Sequence, residues 1–330
     1  MHFALPPRKS SNPPPYRPRS SRGGILQFIP GRLRRVRPRA MVLAGVLFLI
    51  TLFYLLSGSG GSGSSRSSSG KRIPKLAPTG HPPVVLVTVL DDRKFSKGYL
   101  EMVKENRERY AEMHGYKTFF PSVTDYDLGS APSSWALVPA IRHALTTFPN
   151  CRFVWYLDQT ALIMNPKLKL DEHILASGKL DALMKKDHPV VPPDSIIKTF
   201  SHLRAQDVDL VVTQDNETLS PGSIVVRNGD WARFFLDTWF DPIYRTYNFQ
   251  KAETHALEHI VQWHPTILAR MAIVDQRVMG SYAERAPGLE EWREGELVVR
   301  FGPCKGESGP QTCEQTAQPY ISMWKQAFGV

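Results

Sequence analysis

The chain has 330 residues, with 41 Lys+Arg against 31 Asp+Glu and a formal net charge of +10. The positive charge is N-terminal, because residues 1–39 hold ten Lys+Arg and no acid, whereas residues 84–330 hold 27 Lys+Arg and 31 Asp+Glu. The larger part of the chain is therefore weakly acidic, and its composition gives no support to a nucleic-acid partner.

A membrane anchor is predicted at residues 40–56. These 17 uncharged, mostly apolar residues lie at the lower end of the roughly 17–25 residues that span a bilayer as a helix. The arginines just before the run should stay on the cytoplasmic side, and short spans suit the thinner membranes of the early secretory pathway. We therefore expect a single-pass type II protein of the Golgi membrane. The alternatives are a buried core helix and a cleaved signal peptide, whose apolar region is usually roughly 7–15 residues long.

This anchor divides the chain into four segments. Residues 1–39 are a basic, proline-rich tail that we expect to be cytoplasmic and disordered. After the transmembrane signal anchor at 40–56, a Gly/Ser- and Pro-rich stem occupies residues 57–83. Residues 84–330 are long enough to bury a large core, and they form the predicted lumenal domain.

Strand and helix patterns alternate along the lumenal segment. Continuous apolar, β-branched runs predict strands at residues 84–89, 117–120, 153–157, 210–213 and 223–227. Helical spacing predicts helices at residues 97–114 (with Gly115 as the C-cap), 134–148, 231–247 and 251–264. This order predicts an α/β domain with a mostly parallel sheet, in which ligands bind beyond the carboxyl ends of the strands.

The three cysteines and one sequon fit a lumenal location. Cys304 and Cys313 close a short glycine-containing loop, and we predict a disulfide between them because the lumen is oxidising. Cys151 is left over beside a predicted strand and is expected to be buried and unreactive. The triplet at 216–218, Asn-Glu-Thr, is a glycosylation sequon.

Asp158 follows the predicted strand at 153–157 and should lie at the ligand-binding edge of the sheet. Carboxylates spaced i, i+2 at such an edge can hold a hard divalent cation. In enzymes that act on nucleotide sugars, such a cation neutralises the charge that builds on the diphosphate as the sugar leaves. A single aspartate after a strand is also a common turn residue, so this pattern alone does not decide between the two interpretations.

The sequence at 255–259, His-Ala-Leu-Glu-His, offers a rival site. It matches the inverted zinc-protease motif, in which His255 and His259 share a helix face and would bind Zn²⁺ with Glu258 as base. The plainer interpretation is a helix with polar residues near a pocket, because a five-residue pattern arises often by chance.

Aromatic residues at 231–240 have the spacing of a helix face, which favours core packing over a sugar-stacking platform. Trp135 and Trp263 flank segments expected to form a pocket, and we predict that they lie near a ligand.

Seven segments in order carry a family resemblance. They are VVLVTVLDD at 84–92, ENRERYAEMHGY at 105–116, SSWALVPAIRHAL at 133–145, FVWYLDQTALIMNP at 153–166, LSPGSIVVRNGDWARFFLDTWFDPIY at 219–244, AETHALEHIVQWHP at 252–265 and ELVVRFGPC at 296–304. Together they resemble the fungal Golgi α-1,6-mannosyltransferases of glycosyltransferase family 34. The resemblance implies a Rossmann-like GT-A fold, GDP-mannose as donor, Mn²⁺, a mannan or N-glycan acceptor, and other subunits of a Golgi mannosyltransferase complex.

Carrying the resemblance over by residue gives a candidate site. Asp158 matches the first aspartate of the family's DxD motif and Thr160 stands at the second, so these two residues would hold the cation. Asp215 and Glu253 are further catalytic candidates. Donor and acceptor are expected to contact a wider set: Trp135, Gln159, Gly222, Ser223, His255, Glu258 and Arg300.

Several site positions depart from the family pattern. They are Leu137 for a lysine, Thr160 for an aspartate, Thr254 for a glutamine, Gly280 for an asparagine and Arg300 for a metal-binding histidine. An arginine is always protonated and cannot coordinate a cation, although it can pair with phosphate. Two functions therefore stay open: a retaining α-1,6-mannosyltransferase, and a weakly active or inactive structural subunit of a Golgi complex.

Overall fold

The computed structural model describes residues 78–191, 195–247, 249–302 and 309–330, without the side chains of 309–312. The predicted tail, the anchor at 40–56 and most of the stem lie outside the described residues, as does Cys304 of the predicted disulfide. Along the described part of the chain, no helix combines the length and apolarity needed to cross a membrane. The anchor and the Golgi location stay predictions.

The strands of the described residues form a six-stranded and a three-stranded sheet. In chain order they are β1 (Val84–Val87), β2 (Lys117–Phe119), β3 (Phe153–Leu157), β4 (Ala161–Ile163), β5 (Leu210–Gln214), β6 (Leu219–Arg227), β7 (Met271–Val274), β8 (Ser281–Tyr282) and β9 (Val298–Arg300). The larger sheet has the order β2-β1-β3-β6-β5-β7, and only β6 runs antiparallel to its neighbours. The predicted α/β class and mostly parallel sheet are confirmed.

Burial explains why the central strands were visible in the sequence. Every residue of β1 and of β3 is buried, as expected for parallel strands covered on both faces. The sheet separates two apolar clusters, one containing Ile141 and Trp239 and the other containing Tyr110 and Trp155.

The helices cover both faces of the sheet. In chain order they are α1 (Lys97–His114), α2 (Leu137–Thr147), α3 (Leu170–His173), α4 (Ser177–Leu183), α5 (Asp230–Trp239), α6 (Pro242–Thr246), α7 (Ala252–Trp263), α8 (Pro265–Leu268), α9 (Gln276–Met279) and α10 (Gly309–Phe328). The bounds of α1 are those predicted, and Gly115 ends it with a φ of 68°, a conformation that favours glycine.

Two predicted helices differ from those observed. The predicted helix at 134–148 starts as a 3-10 turn at Ser133–Ala136, before α2. The one at 231–247 is divided into α5 and α6, because Pro242 lacks an amide hydrogen and cannot continue a helix. Asp241 begins α6 as its N-cap, accepting a hydrogen bond from the amide of Ile243 at 2.8 Å.

Core positions follow two of the sequence predictions. Phe235 and Trp239 on α5 are fully buried, which confirms core packing for these two aromatic residues, whereas Phe234 is exposed and lies outside the core. Cys151 is a free, fully buried cysteine, and burial raises the pKa of its thiol to about 11. The prediction of a buried, unreactive Cys151 is confirmed for burial, and its high pKa disfavours the reactive thiolate.

The small sheet brings distant segments together. Strand β4 directly follows the Asp158-to-Thr160 segment and pairs antiparallel with β9, so that Ala161 faces Arg300. Strand β8 pairs with the other side of β9 and sets Tyr282 opposite Arg300. None of these short strands was predicted, yet they position Arg300 beside the end of β3.

Candidate functional site

A cavity of about 880 Å³ lies beyond the carboxyl ends of β1, β3 and β5. Its lining includes Asp91 after β1, the segment 158–160 after β3, and Asp215 after β5. This is the edge at which open α/β sheets bind ligands, and the volume falls within the roughly 300–1,000 Å³ usual for ligand pockets. The predicted location of the site is therefore the location of the cavity.

Asp158 has a carboxylate that is already extensively hydrogen-bonded. Its Oδ1 accepts from the backbone amide and the hydroxyl of Thr160, at 2.8 and 2.6 Å. Its Oδ2 accepts from the Tyr156 hydroxyl at 3.3 Å. Thr160 thus serves as a hydrogen-bond donor to Asp158. A carboxylate at position 160 would instead repel the Asp158 carboxylate unless a cation lay between the two.

A buried arginine that the sequence patterns did not predict lies behind Asp158. Arg107 on α1 is fully buried, and its Nη2 donates to the backbone carbonyl of Asp158 at 3.0 Å. Its Nη1 donates to Asn106 at 2.7 Å, and burial lowers its pKa to about 10. Arg107 fixes the backbone from which the Asp158 carboxylate projects. A charged residue among other charged residues of a helix gave no signal that it would be buried.

Gln159 positions the loop after β1. Its side-chain Oε1 accepts from the amide of Asp91 at 2.9 Å, and its carbonyl accepts from the hydroxyl of Tyr99 at 2.9 Å. Gln159 lines the cavity as predicted. Its amide oxygen, however, already holds a neighbouring segment of the chain in place.

Arg300 extends into the cavity from the end of β9. Its Nη1 donates to the hydroxyls of Ser220 and Tyr282, and the guanidinium carbon lies 4.9 Å from the centre of the Tyr282 ring. Its Nε is buried and has no acceptor within the described part of the chain. No carboxylate of the described residues lies within ion-pair distance of it, which leaves its positive charge available to an anion.

Two glycines make room for Arg300. A Cβ built on Gly222 would lie 2.2 Å from Arg300 Nη2, and one built on Gly280 would lie 2.8 Å from Arg300 Cδ. Gly222, predicted to contact the donor or acceptor, lines the cavity, and the space that a side chain would need there is occupied by the arginine. Ser223, predicted to contact the donor, is fully buried and accepts a hydrogen bond from Trp155 Nε1 at 3.1 Å. That expectation for Ser223 was wrong.

Glu253, at the start of α7, contributes a further carboxyl group to the cavity. It is buried, and its Oε2 accepts a hydrogen bond from the hydroxyl of Ser134. Burial raises its pKa, and the nearby Asp158 adds to the effect. Such a carboxyl group is suited to hydrogen bonding with sugar hydroxyls.

Asp215 lines the cavity but also closes the turn between β5 and β6. Its Oδ1 accepts from the amides of Glu217 and Thr218, at 2.8 and 2.7 Å. The turn explains why an aspartate stands there, and a ligand contact for Asp215 stays a prediction. Asn216 of the sequon also lines the cavity, so a glycan on it would compete with a ligand for space.

Neither tryptophan expected near a ligand lines the cavity. Trp135 is only 1% exposed and packs against Phe240, with 6.3 Å between ring centres. Trp263 is 70% exposed near the end of α7. Both expectations are corrected: Trp135 is a core residue beside the lining Ser134, and Trp263 lies on the surface.

The zinc-protease hypothesis is not supported by the geometry. Glu258 is buried and its Oε1 accepts the amide of Leu219 at 2.9 Å, so it joins α7 to β6 and is not placed as a free base. His259 is exposed and packs near the rings of Tyr244 and Trp263. Among the described residues, no three His, Cys, Asp or Glu side chains could hold a metal ion together. His255 and Glu258 also do not line the cavity, so their predicted ligand contacts are not seen.

The residues proposed for Mn²⁺ are a poor set of ligands for it. A hard divalent cation prefers several oxygen ligands, mainly carboxylates. Asp158 supplies a carboxylate that Thr160 and Tyr156 already donate to, while the neighbouring strand brings a guanidinium. The donor set at the end of β3 does not fit a protein-held Mn²⁺ ion.

Comparison with known proteins places the chain in a family. Residues 80–311 match the model of the galactosyl transferase GMA12/MNN10 family. The chain is 30% identical over 311 residues to an uncharacterized alpha-1,2-galactosyltransferase of Schizosaccharomyces pombe, a match that covers 89% of this chain and 94% of that protein. It is 28% identical over 249 residues to the probable alpha-1,6-mannosyltransferase MNN11 of Saccharomyces cerevisiae, covering 68% of this chain and 58% of that protein.

A solved structure is also similar, namely a glycosyltransferase involved in the glycosylation of the major capsid of PBCV-1. It has a TM-score of 0.47 and 14% identity, over 71% of this chain and 98% of that one. The family match covers most of the chain and includes every cavity residue discussed above. The chain therefore belongs to the galactosyl transferase GMA12/MNN10 family, which is glycosyltransferase family 34.

Proposed function

We propose that the chain transfers an α-linked hexose from a nucleoside diphosphate sugar to a hydroxyl group of a glycan. The observation that carries this proposal is the cavity, where the carboxyl groups of Asp158 and Glu253 and the guanidinium of Arg300 surround one space at the strand ends. In this proposal the Arg300 guanidinium faces the diphosphate. The carboxyl groups of Asp158 and Glu253 face the hydroxyl groups of the sugar and of the acceptor.

The reaction we propose retains the α configuration and needs no covalent intermediate. The bond from the anomeric carbon to the diphosphate oxygen breaks, and its electron pair stays on the diphosphate, beside the positive charge of Arg300. The acceptor hydroxyl attacks from the same face, and its proton passes to the leaving diphosphate oxygen. The protein contributes by orienting the two substrates and stabilising developing charge.

The donor distinguishes two candidates. GDP-mannose with α-1,6 linkage, predicted from the sequence segments, is supported by the relative named a probable alpha-1,6-mannosyltransferase. UDP-galactose with α-1,2 linkage is supported by the relative named an alpha-1,2-galactosyltransferase, which has higher identity and covers more of both chains. We therefore rank UDP-galactose as the first donor to test and GDP-mannose as the second.

A structural subunit of a Golgi glycosyltransferase complex is the alternative function. The observation that favours it is the hydrogen bond from Thr160 to Asp158, because one carboxylate has been replaced by a neutral donor. Such a subunit would keep the fold and lose turnover. We place either function in the Golgi lumen behind a type II anchor, with mannan or N-glycan outer chains as acceptor.

The deciding experiment measures sugar transfer by the full-length chain. UDP-galactose and GDP-mannose are each supplied with short α-mannosides, with and without Mn²⁺, and the linkage of any product is determined by nuclear magnetic resonance. Transfer from one donor that falls by about 10²–10³-fold in Asp158→Asn supports the proposal. A folded chain that transfers neither sugar would favour the structural subunit.

A further inference from the structure

The cavity contains one cation without a carboxylate partner in the part of the chain that the structure describes. Of the three cations lining it, Lys94 lies 3.6 Å from Asp91 and Lys251 lies 2.6 Å from Glu217. Arg300 donates instead to two neutral hydroxyl groups, and its buried Nε has no acceptor there. Proteins normally pair the charges that they partly bury, so this arrangement favours an anionic ligand.

The place of this cation in the fold is equally informative. Arg300 lies opposite Ala161 in the small sheet, and the next amide, of Phe301, donates to the carbonyl of Thr160 at 2.8 Å. Arg300 is therefore adjacent to the segment in which Asp158 would bind a metal ion. Three donors already use three of the roughly four lone-pair positions of the Asp158 carboxylate.

The chain has also made space for this side chain. Gly222 and Gly280 both lack the Cβ atom that would overlap Arg300, at 2.2 and 2.8 Å. One glycine is on β6 and the other is on the turn before β8. Two separate elements thus leave room for the same side chain, as expected if the function of the cavity requires the guanidinium at this place.

We propose that the Arg300 guanidinium takes the place of a divalent cation and receives the diphosphate of the sugar donor, so that donor binding requires no metal ion. This inference rests on the proposed function, because it concerns the donor of that reaction. A guanidinium is charged at neutral pH and offers parallel N–H donors that match phosphate oxygens. When the sugar leaves, its bonding electrons remain on a diphosphate oxygen that Arg300 contacts.

The test is calorimetric binding of UDP and of GDP to the full-length chain, once in EDTA and once in Mn²⁺. For the nucleotide that binds, we expect dissociation constants in the two buffers that agree within about twofold. Arg300→Met should weaken binding by roughly 10- to 100-fold in both buffers, the range for loss of charge-assisted hydrogen bonds. Arg300→Lys keeps the positive charge but loses the parallel N–H donors of the guanidinium. Its affinity for the nucleotide should lie between those of wild type and Arg300→Met.

Arg109→Met is the matched control, because Arg109 is a half-exposed arginine on α1 whose one ion pair within the described residues is with Glu105, at 4.0 Å. It removes the same charge and should bind nucleotide like wild type. Melting curves by circular dichroism establish that each variant is folded. If Arg300→Met does not fold, the nucleotide affinity of Arg300→Lys in the two buffers tests the proposal instead: affinity equal to that of wild type in both would contradict it.

A second measurement addresses the metal directly. Titration of Mn²⁺, followed by electron paramagnetic resonance, should show the same weak binding for wild type and for Asp158→Asn. The inference is overturned if wild type binds nucleotide only with Mn²⁺, or if Arg300→Met binds as well as wild type. If a folded wild-type chain binds neither nucleotide in either buffer, the proposed function itself fails.

Discussion

The Arg300 side chain occupies space that is free only because residues 222 and 280 are glycines. Adding a methyl group at one of these glycines therefore tests the role of Arg300. In Gly222→Ala the new Cβ would meet Arg300 Nη2 at 2.2 Å. The atom that must move is the far end of a long side chain, so the backbone can remain in place while the guanidinium is displaced. We expect roughly tenfold weaker nucleotide binding with little change in the unfolding midpoint.

A double-mutant cycle shows whether the two residues act through one contact. Once Arg300→Met has removed the guanidinium, Gly222→Ala should cause no further loss of affinity, because the atoms that clashed are gone. Equal losses in the two backgrounds would contradict this explanation. Nucleotide titrations of the four proteins under identical conditions give the measurement.

Glu258 links stability to pH. Burial raises its pKa from 4.5 to about 7, and the nearby Asp215 contributes in the same direction. The folded state then holds a proton that the unfolded state releases, so stability is lost as pH rises from about 4.5 to about 7. Glu258→Gln keeps an acceptor for the Leu219 amide and removes the charge. It should be more stable than wild type by about 1–3 kcal/mol at pH 8, with little difference at pH 4.

Urea unfolding at the two pH values measures this effect. Glu105→Gln removes a partly exposed carboxylate of α1 and is the control, which should leave the pH dependence of stability as in wild type. A stability difference between Glu258→Gln and wild type that is the same at pH 4 and pH 8 would show that the buried charge is not its cause.

At the scale of residues, the sequence predicted side chains at strand ends better than buried ones. Asp158 and Arg300 were found because one follows a strand and the other interrupts a family pattern. Arg107 was missed, because burial of a helical arginine depends on which acceptors the tertiary structure brings to it. Trp135 was misplaced for the same reason, since a position next to a lining residue does not fix the direction of the side chain.

At the scale of elements, Asn106 joins helix α1 to strand β4. Its Nδ2 donates to the carbonyl of Ile163 at 2.8 Å, and its Oδ1 accepts the amide of the same residue at 2.9 Å. Asn106→Ala leaves both groups of Ile163 and one donor of Arg107 without partners in a buried place. We expect a loss of about 2–4 kcal/mol in unfolding free energy, and weaker nucleotide binding because β4 supports β9.

Asn165→Ala is the matched control for this prediction. Asn165 also hydrogen-bonds to backbone groups, at Gly295 and Lys167, but its hydrogen bonds are exposed to solvent. Water can replace these contacts, so the loss should stay below about 1 kcal/mol. Denaturant unfolding of both variants would contradict the argument if they lost equal stability.

The elements that sequence patterns predicted best are those with many consecutive buried residues. Strand β3 was predicted to the residue because its five residues are all aliphatic or aromatic and all are buried. Strands β4, β8 and β9 have only two or three residues each, too few for any periodicity to show. These strands form by pairing with one another between segments that are distant in the sequence. The position of Arg300 beside Ala161 depends on that pairing and therefore could not be predicted from the sequence.

At the scale of the whole molecule, Cys151 offers a probe of global unfolding. It is fully buried and is the free cysteine of the described residues, and its thiol has a pKa of about 11 because of burial. Alkylation therefore requires an opening that exposes the larger core. A nucleotide that binds only the folded chain should slow the labelling of Cys151, by about 100-fold when its concentration is 100 times its dissociation constant.

Mass spectrometry of the peptide containing Cys151 follows this labelling with time, without any assay of sugar transfer. The protection should be equal in EDTA and in Mn²⁺ if Arg300 meets the diphosphate, and it should disappear in Arg300→Met at the same nucleotide concentration. Arg109→Met should retain it. Labelling that stays fast while calorimetry shows bound nucleotide would mean that Cys151 becomes exposed by a local opening, which would contradict its assignment to the cooperative core on which the cavity is built.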